Sequence, residues 1–359
     1  MSKKDTIFFY HDKPVFGLDI GSTSLKVMQI ESNKKGSTND VVGYGVAPFD
    51  TAAIKNGVIL EPEVMAKAAH ELFSKNLVGE INTRRVAVAI PASRTYNRSI
   101  LLPNMKKQDI AEAVRLEAEQ YIPMSLDSLY LDYNVVGQTE QGIEVLAVAA
   151  PKQIVDSYLL LTEMLGLEVV AMETTISASG RLFVHAEESD VPTVLIDLGA
   201  LSSDITIYDE TLIVTGTVVG GGDNFNDLIS QKLGVTKQEA HIIKTKYGLG
   251  LSKKQKEITE GLSPIIEQLI KEVRRMIRYY EERHNTERKI KQVVTMGGGA
   301  NMPGLSEYLT NQLRLPVRMC DPWQHLDFER LQPPNNIEKS MYVTVAGLAL
   351  INPKEAFGS

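Results

Sequence analysis

Residues 16–30 read Phe-Gly-Leu-Asp-Ile-Gly-Ser-Thr-Ser-Leu-Lys-Val-Met-Gln-Ile. This stretch predicts two short apolar strands joined by a tight polar turn. Residues 194–208 read Val-Leu-Ile-Asp-Leu-Gly-Ala-Leu-Ser-Ser-Asp-Ile-Thr-Ile-Tyr, and aligning the two stretches places Asp197 opposite Asp19. The copies lie about half the chain length apart, so the sequence predicts two similarly built lobes that each carry one such hairpin.

Each of the two turns is a predicted anion site. Successive backbone N–H groups in a turn of Gly, Ser and Thr can point to one side and form a concave site for phosphate. Each turn also brings an aspartate, and two carboxylates beside a polyphosphate repel it unless a divalent cation lies between them. Mg²⁺ suits that position because it takes one or two carboxylates together with phosphate oxygens and water. Asp19 and Asp197 are therefore the predicted metal ligands, and Lys26 can add positive charge near the phosphates.

One such turn alone would be read as an ordinary hairpin turn, since Asp, Gly and Ser are the usual turn residues. The aligned second copy is what favours a binding site.

Composition limits the possible function classes. The 359 residues are enough for about two compact lobes, and 43% hydrophobic with 23% charged residues is typical of a soluble globular protein. The net charge of −7 argues against nucleic acid as a ligand. One cysteine, Cys320, excludes an intrachain disulfide, and the apolar run at residues 7–10 is too short for a signal peptide or a membrane span. We therefore expect a cytoplasmic protein.

Glycine-rich junctions between strand and helix recur in the second half of the chain. Gly221 and Gly222 precede Asp223, and a second run comprises residues 297–300. Glycine lets the backbone approach a ligand closely, and a helix N-terminus favours an anion. The second run suits a flat base or sugar.

Residues 92–167 predict a small inserted unit of strand, helix, two strands and helix, with no reactive group. The chain then returns with a strand that ends at Glu173, and strand ends are where α/β folds place their chemistry. Glu173 is a candidate for orienting a water against a γ-phosphate. The alternative is a solvated carboxylate before a helix N-terminus.

These motifs resemble the superfamily of actin, the heat-shock ATPase chaperones and the sugar kinases. Within it the chain is most similar to the PilM family of type IV pilus assembly proteins, relatives of the division protein FtsA. The broad resemblance rests on residues 19–26, 197–200, 297–300 and 343–349. The narrower one rests on Arg-Leu-Glu-Ala-Glu-Gln-Tyr-Ile-Pro at residues 115–123 and Tyr-Leu-Asp-Tyr at residues 130–133.

The fold implied by this resemblance is α/β: an actin-like two-lobed ATPase fold with duplicated hairpin-bearing sheets and a small inserted subdomain in the first lobe. The implied first lobe comprises residues 1–91, 168–190 and 340–359, with the insert at 92–167. The implied second lobe comprises residues 191–235 and 289–339, with a helical subdomain at 236–288.

The resemblance also implies ATP between the lobes, with Mg²⁺ held near Asp19 and Asp197 and Glu173 at the catalytic, water-positioning place. Removing either aspartate should then weaken Mg·ATP binding and leave the fold intact. The chain departs from relatives at His241, where they commonly have a glutamate on the ribose, and an imidazole cannot accept two hydrogen bonds as a carboxylate does. The implied nucleotide contacts are Gly21, Ser22, Thr23, Ser24, Lys26, Gly199, Ala200, Gly221, Gly222, Lys244, Gly297, Gly298, Gly299 and Ala300.

The role implied by the resemblance is a cytoplasmic scaffold of the pilus machine. Such a scaffold grips the N-terminal cytoplasmic tail of the inner-membrane protein PilN in a groove between the first lobe and the insert. It is thereby recruited to the inner membrane, meets motor ATPases and the platform protein, and can form homo-oligomers. Hydrolysis would be slow or regulatory, and no nucleic acid is involved.

Two alternatives stay open at this point. One is an FtsA-like filament-forming division protein, although such chains end in an amphipathic membrane helix and residues 351–359 are short and weakly apolar. The other is a small-molecule kinase, which needs an acceptor pocket with a general base. The first lobe offers no evident acidic pair for that role.

Overall fold

A computed structural model describes residues 13–32, 38–186, 191–284, 288–329, 331–336 and 338–352. The apolar run at residues 7–10 and the last residues, 353–359, lie outside these ranges. Within the described residues, no helix combines the length and apolar character needed to cross a membrane.

The strands are β1 (Phe16–Ile20), β2 (Ser24–Ser32), β3 (Asn39–Pro48), β4 (Ile54–Lys55), β5 (Val58–Ile59), β6 (Leu77–Gly79), β7 (Arg85–Ile90), β8 (Tyr96–Leu102), β9 (Leu129–Thr139), β10 (Gly142–Pro151), β11 (Glu168–Thr174), β12 (Thr193–Leu198), β13 (Ser202–Asp209), β14 (Thr211–Val219), β15 (Gln292–Met296), β16 (Val317–Met319) and β17 (Leu326–Asp327). The helices are α1 (Pro62–Lys75), α2 (Ile110–Tyr121), α3 (Lys152–Met164), α4 (Thr175–Ala186), α5 (Gly222–Leu233), α6 (Lys237–Lys246), α7 (Gln255–His284), α8 (Leu305–Leu313) and α9 (Val343–Ala349).

The two main sheets repeat one topology. In the first lobe the order runs β3-β2-β1-β7-β11, and in the second it runs β14-β13-β12-β15-β16. In both, the first two pairings are antiparallel and the last two are parallel. The first sheet also gains β17 and β6, both paired with β3. The predicted duplication of hairpin-bearing sheets is confirmed.

Burial along both faces explains why these strands are central. Every residue of β1 is buried, and in β12 five of six positions are buried. Burial along nearly the whole strand is typical of strands covered on both sides. In the second lobe one of these covers is α7, whose Leu262, Ile266 and Val273 join the same core as β12.

The insert has its own three-stranded antiparallel sheet, β8-β10-β9. Helix α2 packs on it through Ile110 and Val114, which form a core with residues of β8 and β10.

Helix α3 packs differently from the predicted division of the chain. It follows the insert in sequence, yet Ile154, Tyr158 and Leu161 are buried in the first-lobe core with Phe16 and Met65. Its packing therefore belongs with the first lobe, because its apolar stripe faces the main sheet and not the insert.

Helices α4 and α9 cross in very close contact between the lobes. A Cβ built on Gly347 would lie 1.9 Å from the backbone oxygen of Ala178, so only glycine allows this approach. Hydroxyl groups of Ser179 and Thr344 form a buried hydrogen bond of 3.1 Å at the same crossing. The residues around the crossing, among them Phe183, Leu195 and Val345, form a core shared by both lobes.

Candidate functional site

The two hairpin turns face each other across a cleft of about 640 Å³. Residues 19–24 and Lys26 line one side, and Asp197, residues 199–202 and Asp204 line the other. Gly297 and Gly298 from the end of β15 lie in the same cleft. The structure thus brings together the two turns that the sequence singles out.

Each turn is closed by an equivalent backbone hydrogen bond. The N–H of Gly21 donates to the oxygen of Ser24, and the N–H of Gly199 donates to the oxygen of Ser202, each at 3.0 Å. In the part of the chain that the structure describes, the N–H groups between these residues donate to no backbone oxygen; they belong to Ser22, Thr23, Ala200 and Leu201. These donors line the cleft, so each turn can supply two N–H groups to an anion.

On the first-lobe side the aspartate is paired with a lysine. Lys26 Nζ donates to Asp19 Oδ2 at 2.9 Å, and both side chains are 8% exposed. The register of β1 on β2 places these residues directly opposite each other. The hydroxyl of Tyr158, on α3, is buried without a hydrogen-bond partner among the described residues, and burial together with the charge of Asp19 raises its pKa. The pair therefore lies in a largely desolvated pocket.

On the second-lobe side two acids stand opposite each other. The register of β12 on β13 pairs Asp197 with Asp204. Burial, then the charges of Asp204 and Asp19, raise the pKa of Asp197 to about 7, against the opposing effect of Lys26. Burial raises the pKa of Asp204 to about 6, although a hydrogen bond from Thr217 opposes the shift.

Asp204 was not predicted from the sequence. It occupies the position in the second hairpin that Lys26 occupies in the first, so aligning the two copies beyond the turn would have drawn attention to it.

The donor set of the cleft fits a hydrated divalent cation. Ionised carboxylates without an ion-pair partner are poorly tolerated where burial removes water. Neither Asp197 nor Asp204 forms a salt bridge within the described ranges, and burial raises the pKa of both. Among the described residues, no three carboxylates, histidines or cysteines are close enough to hold an ion by themselves. A cation here would take one or two carboxylates and complete its shell with water and ligand oxygens, as Mg²⁺ does.

The glycines before α5 pack against the second turn, and their predicted contact with a nucleotide stays a prediction. The N–H groups of Gly222 and Asp223 donate to the oxygens of Gly199 and Ala200, both at 2.9 Å. A Cβ on Gly221 would lie 2.4 Å from the Gly199 oxygen. These glycines let α5 pack on the second turn, and the first N–H groups of the helix are used there, so Gly221 and Gly222 do not line the cleft.

Gly297 leaves room for the Asp197 carboxylate, because it has no side chain. Its φ is +80°, and a Cβ there would lie 2.2 Å from Asp197 Oδ1. Gly298 also lines the cleft, whereas Ala300 is buried and Gly299 packs on Leu198. Of the predicted run 297–300, the structure brings the first two residues into the cleft.

Lys244 and His241, both on α6, lie outside the cleft. Lys244 is buried and donates to the oxygen of Gly222 at 2.7 Å. Burial lowers its pKa, while Asp223 opposes the shift. His241 is exposed. Contact of either side chain with a nucleoside stays a prediction.

Glu173 is engaged by an arginine. Arg181 lies in α4, the helix that follows directly, and donates to both carboxylate oxygens, with Nη2 2.7 Å from Oε2. Its Nη1 also donates to the backbone oxygen of Gly347 at 3.0 Å. Glu173 does not line the cleft. Its catalytic role stays a prediction, and that role would require Glu173 to release Arg181.

Glu173→Gln is expected to lower the free energy of unfolding by roughly 1–3 kcal/mol, because the charged partner of a half-buried arginine is lost. Nucleotide affinity should change by less than about twofold, because the residue lies outside the cleft. Thermal unfolding and calorimetric titration measure the two effects. Glu168→Gln, an exposed change on the same strand, is the control. An unchanged melting temperature combined with lost nucleotide binding would contradict this structural role.

Two further grooves lie outside the cleft. One, of about 330 Å³, runs between the β4–β5 hairpin and the insert and is lined by Val58, Tyr96, Met124 and Ile154 among others. The other, of about 830 Å³, lies between α7 and the residues of α8 and beyond, and it contains none of the hairpin residues.

The repeated sheets and the facing carboxylate-bearing turns define an actin-like ATPase fold. Several solved proteins share it. The chain belongs to the family of the type IV pilus assembly protein PilM, whose family model matches residues 17–352.

Three relatives show how broad this similarity is. A chain of the solved PilM–PilN type IV pilus biogenesis complex has a TM-score of 0.79 and 23% identity, over 95% of this chain and 99% of that one. MreB 5 of Spiroplasma citri bound to AMPPNP has a TM-score of 0.51 and 13% identity, over 94% and 95%. The cell division protein FtsA of Pseudomonas aeruginosa is 23% identical over 87% of this chain and 84% of its own length.

Proposed function

We propose that this protein is an ATP-binding scaffold of the type IV pilus assembly machine, which binds Mg·ATP between its lobes and the N-terminal cytoplasmic tail of PilN beside the insert. The observation that carries the nucleotide part is the pair of matching turns, each with a carboxylate and two free N–H groups, on opposite walls of one cleft. The family and the likeness to a chain of the PilM–PilN complex support the pilus part.

Each turn would hold the phosphates through its backbone. The free N–H groups of Ser22 and Thr23 on one side, and of Ala200 and Leu201 on the other, are aligned on the same cleft. Asp19 and Asp197 would hold Mg²⁺, and Asp204 is the further acid near it. When bound, Mg²⁺ would neutralise phosphate charge and carry water.

Lys26 has two partners in this arrangement. In the present structure it donates to Asp19, and with Mg²⁺ on that carboxylate its ammonium would be free to face a phosphate. Because Gly297 has no Cβ, the Asp197 carboxylate can take its place in the cleft. Because residues from both lobes would contact one ligand, binding would favour a closed arrangement of the lobes.

The groove between the β4–β5 hairpin and the insert is the proposed peptide site. Its lining combines apolar residues, such as Tyr96 and Met124, with polar ones, such as Gln153, and Met124 is 41% exposed. Extended peptides bind such grooves through apolar anchors. Through this tail the protein would be held at the cytoplasmic face of the inner membrane, where other pilus components would reach it.

Met124→Asp is expected to weaken binding of a synthetic PilN tail peptide by about tenfold or more, because an apolar contact is replaced by a charge that must lose water. Fluorescence anisotropy measures the affinity. Leu116→Asp is the matched control, since Leu116 is also an exposed apolar residue, on α2, and lies outside the groove. Equal affinity of both variants and the unchanged protein would contradict the groove assignment.

Hydrolysis is a minor part of the proposal. Among the described residues that line the cleft, the acids are Asp19, Asp197, Asp204 and Asp223, and the first two are assigned to the metal. We expect ATP turnover to be slow and to act as a switch between lobe arrangements.

An FtsA-like division role is the second candidate, favoured by the FtsA relative described above. Sedimentation with Mg·ATP separates the two candidates, because a filament-forming protein pellets in a nucleotide-dependent way and a peptide-binding scaffold does not require this.

A further inference from the structure

The cleft and the insert groove share a wall. Asn56, Ser93 and Arg94 line both cavities. Asn56 and Gly57 form the turn of the β4–β5 hairpin and have φ values of 52° and 82°, the conformation that an Asn-Gly hairpin turn favours. A Cβ on Gly57 would lie 3.2 Å from both Arg94 Cγ and Ile154 Cδ1. The stem of Arg94 therefore lies against this turn, between the two cavities.

Among the described residues, the guanidinium of Arg94 makes one polar contact. Its Nη2 donates to Asn56 Oδ1 at 3.1 Å, and no carboxylate of the described residues is within ion-pair distance. Arg94 is exposed. A neutral amide partner holds an arginine weakly compared with a carboxylate or a phosphate, which take two parallel hydrogen bonds.

The other cations near the cleft are less available. Lys26 is paired with Asp19, and Lys244 is bound to the oxygen of Gly222 outside the cleft. Among the described residues, the cations that line the cleft without a carboxylate partner are Lys55 and Arg94. Of these, Arg94 has the planar geometry that suits a phosphate.

We propose that Arg94 is a ligand of the terminal phosphate of a nucleotide in the cleft, and that it releases Asn56 at the edge of the insert groove when it binds that phosphate. This inference rests on the proposed nucleotide and peptide sites and adds the residue that links them. Because Arg94 forms part of both walls, the same movement changes the shape and charge of the groove.

The first experiment compares Arg94→Ala with the unchanged protein by calorimetric titration of Mg·ATP and Mg·ADP. Loss of a charged hydrogen-bond donor to the terminal phosphate should weaken Mg·ATP binding about tenfold or more, and Mg·ADP binding should change by less than about twofold because it lacks that phosphate. Arg98→Ala is the matched control, since Arg98 lies over the ring of Tyr121 in the insert.

The second experiment fixes the arginine without removing it. Asn56→Asp gives Arg94 a carboxylate partner and should weaken Mg·ATP as Arg94→Ala does. Asn56→Gly removes the partner, keeps a residue that tolerates positive φ, and should leave Mg·ATP affinity unchanged or higher.

The link to the groove is tested by measuring the affinity for the synthetic PilN tail peptide in the presence of Mg·ATP and of Mg·ADP. The affinity of the unchanged protein for the peptide should differ between the two nucleotides by about threefold or more, and the same factor should appear in the effect of the peptide on nucleotide affinity. Arg94→Ala should abolish this difference, because it removes the residue that links the two cavities.

Outcomes separate this inference from the proposed function. If the unchanged protein binds both nucleotides and Arg94→Ala binds them equally well, or weakens both alike, the role of Arg94 is overturned and the proposed function stands. If the unchanged protein binds neither nucleotide, both fail.

Discussion

Asp197→Asn is expected to raise the melting temperature of the nucleotide-free protein at pH 8 by several degrees and to remove its Mg²⁺-dependent nucleotide binding. The two effects have one cause. Asp197 is a half-buried carboxylate opposite Asp204, and burial together with the charges of Asp204 and Asp19 outweighs the opposing effect of Lys26, so its ionised form costs stability on the order of 2–4 kcal/mol. The amide has the same shape, keeps the contact with Gly297 and carries no charge, but it cannot serve as an anionic metal ligand.

The same effect makes stability depend on pH. The pKa of Asp197 rises from 3.8 in the unfolded chain to about 7 in the folded one. Between these values the folded state binds more protons than the unfolded state, so this group stabilises the fold most below pH 4 and the contribution is lost as pH rises to 7. Asp204 adds to the same window. The difference in melting temperature between Asp197→Asn and the unchanged protein should therefore be larger at pH 8 than at pH 5.

Differential scanning fluorimetry at pH 5 and pH 8 measures this, and calorimetric titration of Mg·ATP measures the loss of binding. A lower melting temperature for Asp197→Asn than for the unchanged protein at pH 8 would contradict this explanation.

Asp19→Asn is the informative comparison, because the structure predicts that this change lowers the stability of the fold, whereas Asp197→Asn raises it. Asp19 is the partner of the buried Lys26, and removing one member of a buried pair leaves the other uncompensated, at a cost of roughly 3–5 kcal/mol. The sequence alone predicted that loss of either aspartate would leave the fold intact. With Lys26 beside one and Asp204 beside the other, we now expect Asp19→Asn to destabilise and Asp197→Asn to stabilise.

Gly347→Ala should destabilise the protein by about 3 kcal/mol or more, at the upper end of overpacking effects. The new methyl group would lie 1.9 Å from the backbone oxygen of Ala178, and a backbone atom cannot rotate away as a side chain can. Helix propensity alone predicts the reverse, because alanine is favoured over glycine in a helix by about 1 kcal/mol. The sign of the effect therefore separates the two arguments.

Urea unfolding measures this change, with Gly137→Ala as the control because a Cβ at Gly137 meets no atom within 4 Å. An increase in stability for Gly347→Ala would show that α4 and α9 are further apart than described.

The hairpins could be predicted because their pattern is local. The apolar runs around Asp19 and Asp197 and the polar residues between them specify strand, turn and strand without reference to the rest of the chain. The position of Glu173 at a strand end was predictable for the same reason. Its partner Arg181 was not, since that contact depends on how α4 starts after the strand and packs under α9.

Tertiary contacts explain the other differences. A sequence pattern cannot tell whether the glycines before α5 meet a ligand or another stretch of backbone, and Gly221 and Gly222 meet the second turn. Helix α3 was grouped with the insert because it follows the insert along the chain, whereas Tyr158 and Leu161 are buried against the main sheet. Arg94 was missed because its significance comes from lying between two cavities.

The residues at the equivalent positions 26 and 204 also bear on how such a molecule could have evolved. Two identical subunits related by a two-fold axis would present the same residue at this place, so both would be lysine or both aspartate. Once the two halves are fused in one polypeptide, each can mutate separately, and a basic group on one wall can face an acidic group on the other. Fusion after gene duplication thus makes possible a pocket with a basic residue on one wall and an acidic residue on the other. A symmetric dimer of one hairpin-bearing lobe could not form such a pocket.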